Sequence, residues 1–267
     1  MISLSVVIVS LTFGLFDVFP QTSFEPDETV GTEIVFLLDI SRSMNASDIE
    51  PSRLEKASEV IKSITERSRG ISKALVVFKG TGLTVIPVTE DNEAIYSYLN
   101  NISSDFLSSP GTNIEEGLKT ALGAFSISKS KNKYLFIFTD GEALEGNESR
   151  VASAVEKLGV KVAVIGVGTE EGSNIETSNG FITNEAGEEV ITRLDEVRLK
   201  QLTQTVKGSY IHIQSSSALS ELSREVSGER ESFREVTVSR YRLYLVIALF
   251  GLFLYFATRV IRWKDCF

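Results

Sequence analysis

The sequence predicts an α/β domain whose central sheet is doubly wound, mostly parallel and flanked by helices, set between two apolar ends. Short apolar runs alternate with helical stretches through the middle of the chain, which is typical of βαβ units. Three of these runs have no polar face, so helices must cover both sides of the sheet. The apolar segment at each end of the chain is close to the length of a transmembrane helix. We therefore expect an N-terminal and a C-terminal transmembrane helix around one globular domain.

The predicted strands are short and apolar. Those expected to be buried on both faces are Ile34–Leu38, Tyr134–Phe138 and Val160–Val167. The others are a hairpin of Ala74–Phe78 with Leu83–Ile86, a small hairpin of Phe181–Thr183 with Val190–Thr192, and a last strand at Tyr210–Ile213. The small hairpin falls inside the loop of residues 168–193, which is rich in Gly, Glu, Asn and Thr.

The predicted helices carry apolar residues at helical spacing. In Pro51–Arg69 these are Leu54, Ala57, Ile61 and Ile64, and Pro51 suits the first turn. The other predicted helices are Asn92–Asn101, Asn113–Ser126, Ser149–Leu158, Leu194–Thr205 and Ala218–Val226. Each lies between two predicted strands or follows the last one, as a sheet covered on both faces requires.

The predicted domain organisation follows from the contrast between the apolar segments at the two ends and the charged part between them. We expect a transmembrane anchor at 1–20, a linker at 21–33, the globular domain at 34–226, a juxtamembrane stalk at 227–240, a transmembrane helix at 241–262 and a tail at 263–267. The first segment has no basic start and no small-x-small cleavage site, which favours an uncleaved anchor over a secretory signal. Three basic residues follow the last span and two precede it, which places the tail in the cytoplasm and the domain outside it.

Charge and composition exclude several classes of function. The chain has 27 Lys and Arg against 36 Asp and Glu, and without 1–20 and 240–267 the balance is about −12, which argues against a nucleic-acid partner. One cysteine, Cys266, excludes a disulfide framework, and one histidine, His212, excludes a multi-histidine metal site. The sequence has no G-x-S-x-G and no phosphate loop with Lys, so we predict that the protein is not an enzyme.

Polar clusters follow strand ends or begin a helix at three places. These are Asp39 with Ser41 and Ser43, Gly111-Thr112-Asn113, and Thr139-Asp140-Gly141. In an extended loop the side chains of Asp39, Ser41 and Ser43 point the same way, while that of Ile40 points into the core. Because ligands bind at the carboxyl ends of strands in open α/β sheets, these clusters are candidates for one site. Taken singly, each is also an ordinary helix cap. Carboxylate and hydroxyl oxygens suit Mg²⁺ first, with Mn²⁺ or Ca²⁺ as alternatives.

Together the clusters resemble the von Willebrand factor A (VWA) domain and its metal-ion-dependent adhesion site (MIDAS). The family pattern is Asp-x-Ser-x-Ser, a distant Thr, and a distant Asp before Gly. Its positions here are Asp39, Ser41, Ser43, Thr112 and Asp140, and the likeness covers about Thr32–Val226. The resemblance implies that the three hydroxyls bind the metal directly and that the two aspartates act largely through water. It also implies that a partner Asp or Glu completes the coordination.

A narrower resemblance is to the bacterial aerotolerance-operon Bat proteins, BatB-like ones above all. It rests on Leu-Asp-Ile-Ser-Arg-Ser-Met, on Asp48-Ile-Glu-Pro-Ser-Arg-Leu-Glu55 and on Val167-Gly-Thr-Glu-Glu-Gly172. It implies partners among other Bat-like membrane proteins and a MoxR-type AAA+ ATPase, at the bacterial inner (cytoplasmic) membrane with the domain on the periplasmic side. The implied role is in stress tolerance or protein maturation. Members usually carry two spans before the domain, whereas this chain has one.

Two other functions compete with this interpretation. A surface adhesin would use the same site on a host or matrix protein, and location separates the two, since a domain held at the inner membrane cannot reach a host. A metal-dependent hydrolase would need a base near the metal, and His212 lies on a late strand, where a packed or edge residue is expected. Arg42 is expected to be exposed at the rim of the site.

Overall fold

The computed structural model describes residues 32–125, 132–177, 180–183, 186–228, 246–250, 252–253 and 256. The chain divides into two compact units, one of residues 28–233 and one of residues 1–27 with 234–267. In the second unit, residues 246–250, 252–253 and 256 are helical. None of the helices within the described residues combines the length and the apolar character that a bilayer crossing requires. The predicted anchor at 1–20, and the predicted span at 241–262 apart from those eight residues, lie outside the described residues.

The larger unit is built on a six-stranded sheet in the order β12-β7-β5-β1-β2-β3. Its strands are β1 (Thr32–Asp39), β2 (Ser72–Phe78), β3 (Gly82–Thr89), β5 (Asn132–Thr139), β7 (Val160–Gly166) and β12 (Ser209–His212). All neighbours pair in parallel except β2 with β3, which are antiparallel. The mostly parallel sheet predicted from the buried apolar runs is confirmed, and so is the first hairpin.

Six helices among the described residues of this unit flank the sheet. They are α1 (Arg53–Arg67), α2 (Asn92–Leu99), α3 (Ile114–Ala124), α4 (Ser149–Leu158), α5 (Glu196–Thr205) and α6 (Ser216–Gly228). Residues of α1, α2 and α6 pack on one face of the sheet, against the side chains of Phe36 and Leu38. Residues of α3, α4 and α5 pack on the other face, against Val35 and Leu37. The alternation of β1 side chains between two buried layers explains why its sequence has no polar face.

Helix α1 begins two residues later than predicted. Ser52 is its N-cap, because the Ser52 hydroxyl accepts from the Glu55 backbone N–H and in turn donates to the Glu55 carboxylate. The Ser52 cap places Pro51 before the cap and not in the first turn. The shift has a consequence for the site, since it puts Arg53 at the first helical position.

The loop between β7 and α5 differs from the predicted small hairpin. Ser173–Asn174 (β8) pairs with Ile191–Thr192 (β11), and Glu176–Thr177 (β9) pairs with Gly180–Phe181 (β10). Between these pairs, Thr183 and Glu189 form an isolated antiparallel bridge. The prediction found the turn but gave it too few strands, because two-residue strands leave no apolar pattern in the sequence.

Candidate metal centre

The first part of the site follows the end of β1. Asp39 is the last residue of the strand, and its Oδ1 accepts the Ser41 backbone N–H at 2.8 Å. The hydroxyl oxygens of Ser41 and Ser43 lie 3.0 Å apart. Ile40 is fully buried, as the alternation predicted. The loop is not extended beyond Ser41, because residues Arg42–Asn45 form a 3₁₀ turn, and this turn brings the Ser43 hydroxyl beside that of Ser41.

The second part comes from the end of β5, the neighbour of β1 in the sheet. The Thr139 hydroxyl donates to Asp39 Oδ2 at 2.7 Å, and Asp140 follows Thr139. Asp140 Oδ1 accepts the Glu142 backbone N–H at 3.0 Å, and its carboxylate also accepts a hydrogen bond from Ser43. Asp39 and Asp140 are both fully buried. Two carboxylates from adjacent strands therefore lie beneath the serine hydroxyls.

The third part is Thr112 in the two-residue strand β4 (Thr112–Asn113), which pairs with β6 (Leu144–Glu145). Asn113 caps α3 by accepting from the Glu116 backbone N–H, and its own N–H donates to the Lys79 carbonyl at 2.6 Å. These bonds fix Thr112 on the same cleft as Ser41 and Ser43. Within the described part of the chain, the Thr112 hydroxyl has no hydrogen-bond partner and is available to a ligand.

The cleft itself measures about 390 Å³ and has charge of both signs around it. Arg42 is exposed on it, as predicted, and the buried Lys79 borders it while donating to the carbonyls of Ser104 and Leu107. Glu142 lies on the cleft as well. The five predicted site residues are therefore brought together, with three hydroxyls on the cleft and two carboxylates behind it.

Burial makes the two carboxylates hold their protons more strongly. Burial, and after it the charge of Asp140, raises the pKa of Asp39 to about 7, against the lowering effect of the hydrogen bonds from Thr139 and Ser41. Burial also raises the pKa of Asp140, although its hydrogen bond from Ser43 and the charge of Arg53 lower it. Two negative charges this close and this deep repel each other, and a divalent cation would relieve the repulsion.

Arg53 is a buried charged residue beside the site that the sequence did not single out. Its guanidinium is fully buried and donates to Asp140 Oδ2 at 2.8 Å, and it also pairs with both carboxylate oxygens of Asp48. Asp48 in turn accepts the backbone N–H and the hydroxyl of Thr169. The signal that could have found Arg53 is its place in the run Asp48–Glu55, where an acidic residue lies five positions before it.

The residues present fit a hard divalent cation. No group of three or more His, Cys, Asp or Glu side chains among the described residues is arranged to hold a metal. A cation here would depend on the hydroxyls of Ser41, Ser43 and Thr112, with Asp39 and Asp140 behind them. Such an oxygen set suits Mg²⁺, Mn²⁺ or Ca²⁺ and not a soft metal.

Comparisons with known proteins agree with this geometry. Residues 34–142 match the family model of the von Willebrand factor type A domain. The crystal structure of the conserved hypothetical protein BatB from Bacteroides thetaiotaomicron aligns with 34% identity and a TM-score of 0.70, over 75% of this chain and 100% of that one. The chain belongs to the BatB-like group of VWA domain proteins. This membership confirms the fold predicted for the domain and the resemblance drawn from the motifs.

Further relatives extend the comparison. An aerotolerance-related membrane protein from Bacteroides fragilis aligns with 32% identity and a TM-score of 0.69, over 74% of this BatB-like chain and 100% of its own. A UPF0353 protein of Nocardia farcinica is 26% identical over 186 residues, which is 64% of this chain and 55% of that protein. The chain spans about half the length of the curated relatives it matches.

Proposed function

We propose that the domain binds a protein partner through a divalent cation, and that an Asp or Glu of the partner completes the coordination of that cation. The observation that carries this proposal is the arrangement of the cleft. Three hydroxyls, of Ser41, Ser43 and Thr112, face a space of about 390 Å³ directly above two buried carboxylates. Hydroxyls facing outward and carboxylates held inward suit an ion that must still accept a ligand from outside.

The charges of these groups explain why a partner carboxylate would be drawn to the site. When bound, the cation supplies a positive centre that its neutral hydroxyl ligands do not cancel, so it remains attractive to an anion. Ser41 and Ser43 are already placed side by side, and Thr112 is held by the bonds of Asn113. Little ordering of the chain is needed on binding, which favours affinity. Mg²⁺ is the cation we propose, with Mn²⁺ and Ca²⁺ as substitutes.

The charged residues around the cleft would select which partner carboxylate can approach the cation. Arg42 is exposed on the cleft, Glu142 lines it, and the Glu145 carboxylate lies beside Gly111, which also lines it. A partner that offers an acidic side chain beside basic ones would match charges of both signs. This pattern supports recognition of a particular protein surface over a small anion.

Membrane location and the wider complex belong to the same proposal. The aerotolerance-related relative from Bacteroides fragilis is described as a membrane protein, and the apolar ends of this chain are consistent with anchoring on the periplasmic side of the inner membrane. We propose that the partners are other Bat-like membrane proteins and a MoxR-type AAA+ ATPase. The process served would be stress tolerance or maturation of envelope proteins.

A role as an interaction module is favoured over an enzyme by the state of His212. Its Nδ1 accepts the Gln214 backbone N–H at 3.3 Å and its Nε2 lies 3.0 Å from the Gly168 carbonyl oxygen. With Nδ1 accepting, Nε2 carries the proton and donates it to that carbonyl. Both ring nitrogens are thus engaged with backbone, so His212 is poorly suited to activate water.

The experiment that tests the proposal compares two threonine-to-valine variants of the full chain in detergent-solubilised membranes. Thr112→Val removes a hydroxyl from the cleft, whereas Thr120→Val removes one that donates only to the Glu116 carbonyl within α3. We expect wild type and Thr120→Val to capture the same proteins in Mg²⁺ and to lose them in EDTA. Thr112→Val should capture them poorly under both conditions.

An Asp140→Ala arm adds a second measurement of the same site. Because this variant also leaves Arg53 without one of its partners, its thermal stability must be measured beside its binding. Thr112→Val is free of this complication. Equal capture by wild type in Mg²⁺ and EDTA would show that the partner binds elsewhere on the domain.

A further inference from the structure

The feature that carries the inference is the buried guanidinium of Arg53, all five of whose N–H groups have acceptors. Nε and Nη2 donate to the two carboxylate oxygens of Asp48, each at 2.8 Å. Nη1 donates to Asp140 Oδ2 at 2.8 Å. The remaining donors are taken by Thr192, through its hydroxyl at 3.1 Å and its carbonyl at 3.2 Å. A guanidinium so completely bonded has a fixed position and orientation.

This fixed guanidinium determines how the Asp140 carboxylate is turned. Oδ2 is directed at Arg53, while Oδ1 accepts the Glu142 backbone N–H. The Asp140 side chain is fully buried, so water does not compete for these bonds. For both oxygens to turn toward the cleft, the buried ion pair with Arg53 would have to break, which leaves the guanidinium with Asp48 as its one carboxylate partner.

We propose that Arg53 is a positioning residue which keeps the Asp140 carboxylate from becoming a direct ligand of the cation. In this role Arg53 holds Oδ2 inward, and the coordination position that Asp140 would otherwise occupy stays open for the partner carboxylate. The inference rests on the proposed function and adds to it the group that sets the balance between metal affinity and partner affinity.

The charges near the cleft give this role a direction. The positive charge of Arg53 is shared between the carboxylates of Asp48 and Asp140. Asp48 therefore weakens the attraction between Arg53 and Asp140. Removing Arg53 together with the Asp48 charge keeps the formal charge of the cluster unchanged but frees Asp140. When the Asp48 charge alone is removed, Asp140 becomes the one carboxylate paired with Arg53. Arg53 then restrains the Asp140 carboxylate more strongly. The two changes should therefore shift cation binding in opposite directions.

The test uses the full chain in detergent with Mn²⁺ as the probe, in wild type, the double variant Arg53→Met with Asp48→Asn, and the single variant Asp48→Asn. Mn²⁺ affinity is measured by calorimetry, and the water bound to Mn²⁺ is counted by pulsed electron paramagnetic resonance in D₂O. We expect the double variant to bind Mn²⁺ at least about tenfold more tightly with one water fewer, since a freed carboxylate replaces it. Asp48→Asn alone should bind Mn²⁺ several-fold more weakly with the water count of wild type.

The outcomes separate the two proposals. If wild type does not bind Mn²⁺, the proposed function fails and this inference fails with it. If wild type binds but the double variant has the same water count, or if both variants shift affinity in the same direction, only the role of Arg53 is overturned. Circular dichroism in EDTA checks the fold of each variant. Should the double variant not fold, the water count of Arg53→Lys decides in its place, because a lysine cannot bond Asp48 and Asp140 together as the guanidinium does. Weaker Mn²⁺ binding by Asp48→Asn does not decide alone, since loss of a negative charge near the cation has that effect under either role.

Discussion

The Thr139 hydroxyl donates a hydrogen bond of 2.7 Å to Oδ2 of Asp39, and both side chains are fully buried. The bond joins the ends of β5 and β1 directly beneath the cleft. Since Asp39 Oδ1 is taken by the Ser41 backbone N–H, the carboxylate is held at both oxygens. Asp39 therefore serves the fold as well as the site.

Thr139→Val should destabilise the protein, because it leaves a buried carboxylate oxygen without its donor. We expect a loss of about 2 kcal/mol in the free energy of unfolding at pH 8, the usual value of a hydrogen bond to a charged group. Urea unfolding in EDTA measures it. Thr65→Val is the matched control, since the buried Thr65 hydroxyl has no hydrogen-bond partner among the described residues and its removal should be neutral or stabilising. Similar losses in both variants would contradict the assigned role of Thr139.

Metal-free protein should become less stable as the pH rises from about 4 to above 7. The pKa of Asp39 is raised from 3.8 to about 7, so over this range the folded state keeps a proton that the unfolded state has released. The contribution is complete below pH 3.8 and is lost as the pH passes about 7, with a slope of at most about 1.4 kcal/mol per pH unit.

Asp39→Asn isolates this contribution from the other carboxyl groups of the chain. In EDTA the variant should lack the decline, so its stability relative to wild type should improve as the pH rises from 5 to 8. Thermal melting across that range, with and without Mg²⁺, is the measurement. A difference between variant and wild type that does not change with pH would show that Asp39 does not hold this proton.

Gly168→Ala should destabilise the Arg53 cluster by a direct clash. Gly168 has φ +138°, and a Cβ built on it would lie 2.9 Å from Arg53 Nε. Gly180→Ala is the control, since Gly180 also has a positive φ, of +105°, but a Cβ there meets nothing within 4 Å. We expect Gly180→Ala to cost about 1 kcal/mol and Gly168→Ala at least about 2 kcal/mol more, measured by urea unfolding. Equal costs would mean that Arg53 can move without loss.

Arg42→Glu should weaken partner binding without changing stability. Arg42 is exposed on the cleft, where a negative charge would repel the carboxylate that approaches the cation. The expected effect is a several-fold slower association, largest at low salt, measured by surface binding of a captured partner. Lys157→Glu makes the same change of charge near the end of α4, at the opposite end of the sheet, and should have little effect. An equal loss in both variants would point to overall charge and not to the cleft.

The strands and helices that could be predicted are those whose signal is local. The run Ile34–Leu38 is apolar at every position, and only burial on both faces accommodates such a run, so strand, parallel sheet and covering helices follow together. The pairing of Ser173–Asn174 with Ile191–Thr192 could not be predicted, since Ser173–Asn174 has no apolar residue and the strand predicted at Val190–Thr192 was paired with Phe181–Thr183. Beside that pairing, the Thr169 backbone N–H donates to Asp48 and the Thr192 carbonyl accepts from Arg53.

The site was predictable to the same extent. Asp39, Ser41 and Ser43 follow a strand in a recognisable spacing, and Thr112 and Asp140 occupy the matching distant positions. The structure brings these five side chains together, three on the cleft and two buried behind it, while their role as metal ligands stays a prediction. The 3₁₀ turn after Ser41 was missed, because an Asp-x-Ser-x-Ser spacing fits an extended loop equally well.

By itself the sequence determined the fold class, the positions of the buried strands along the chain and the kinds of polar group that follow the strand ends. Each of these features depends on residues that are close together in the sequence. Only the tertiary structure decided the environment of Arg53. In the sequence it is one more charged residue in the first turn of a helix. Its nearest acceptors are Asp48 in the preceding loop, Asp140 directly after β5 and Thr192, which is 139 residues away along the chain. Charges this far apart along the chain come together when the sheet forms. Because they are then buried, each must keep a partner of opposite charge.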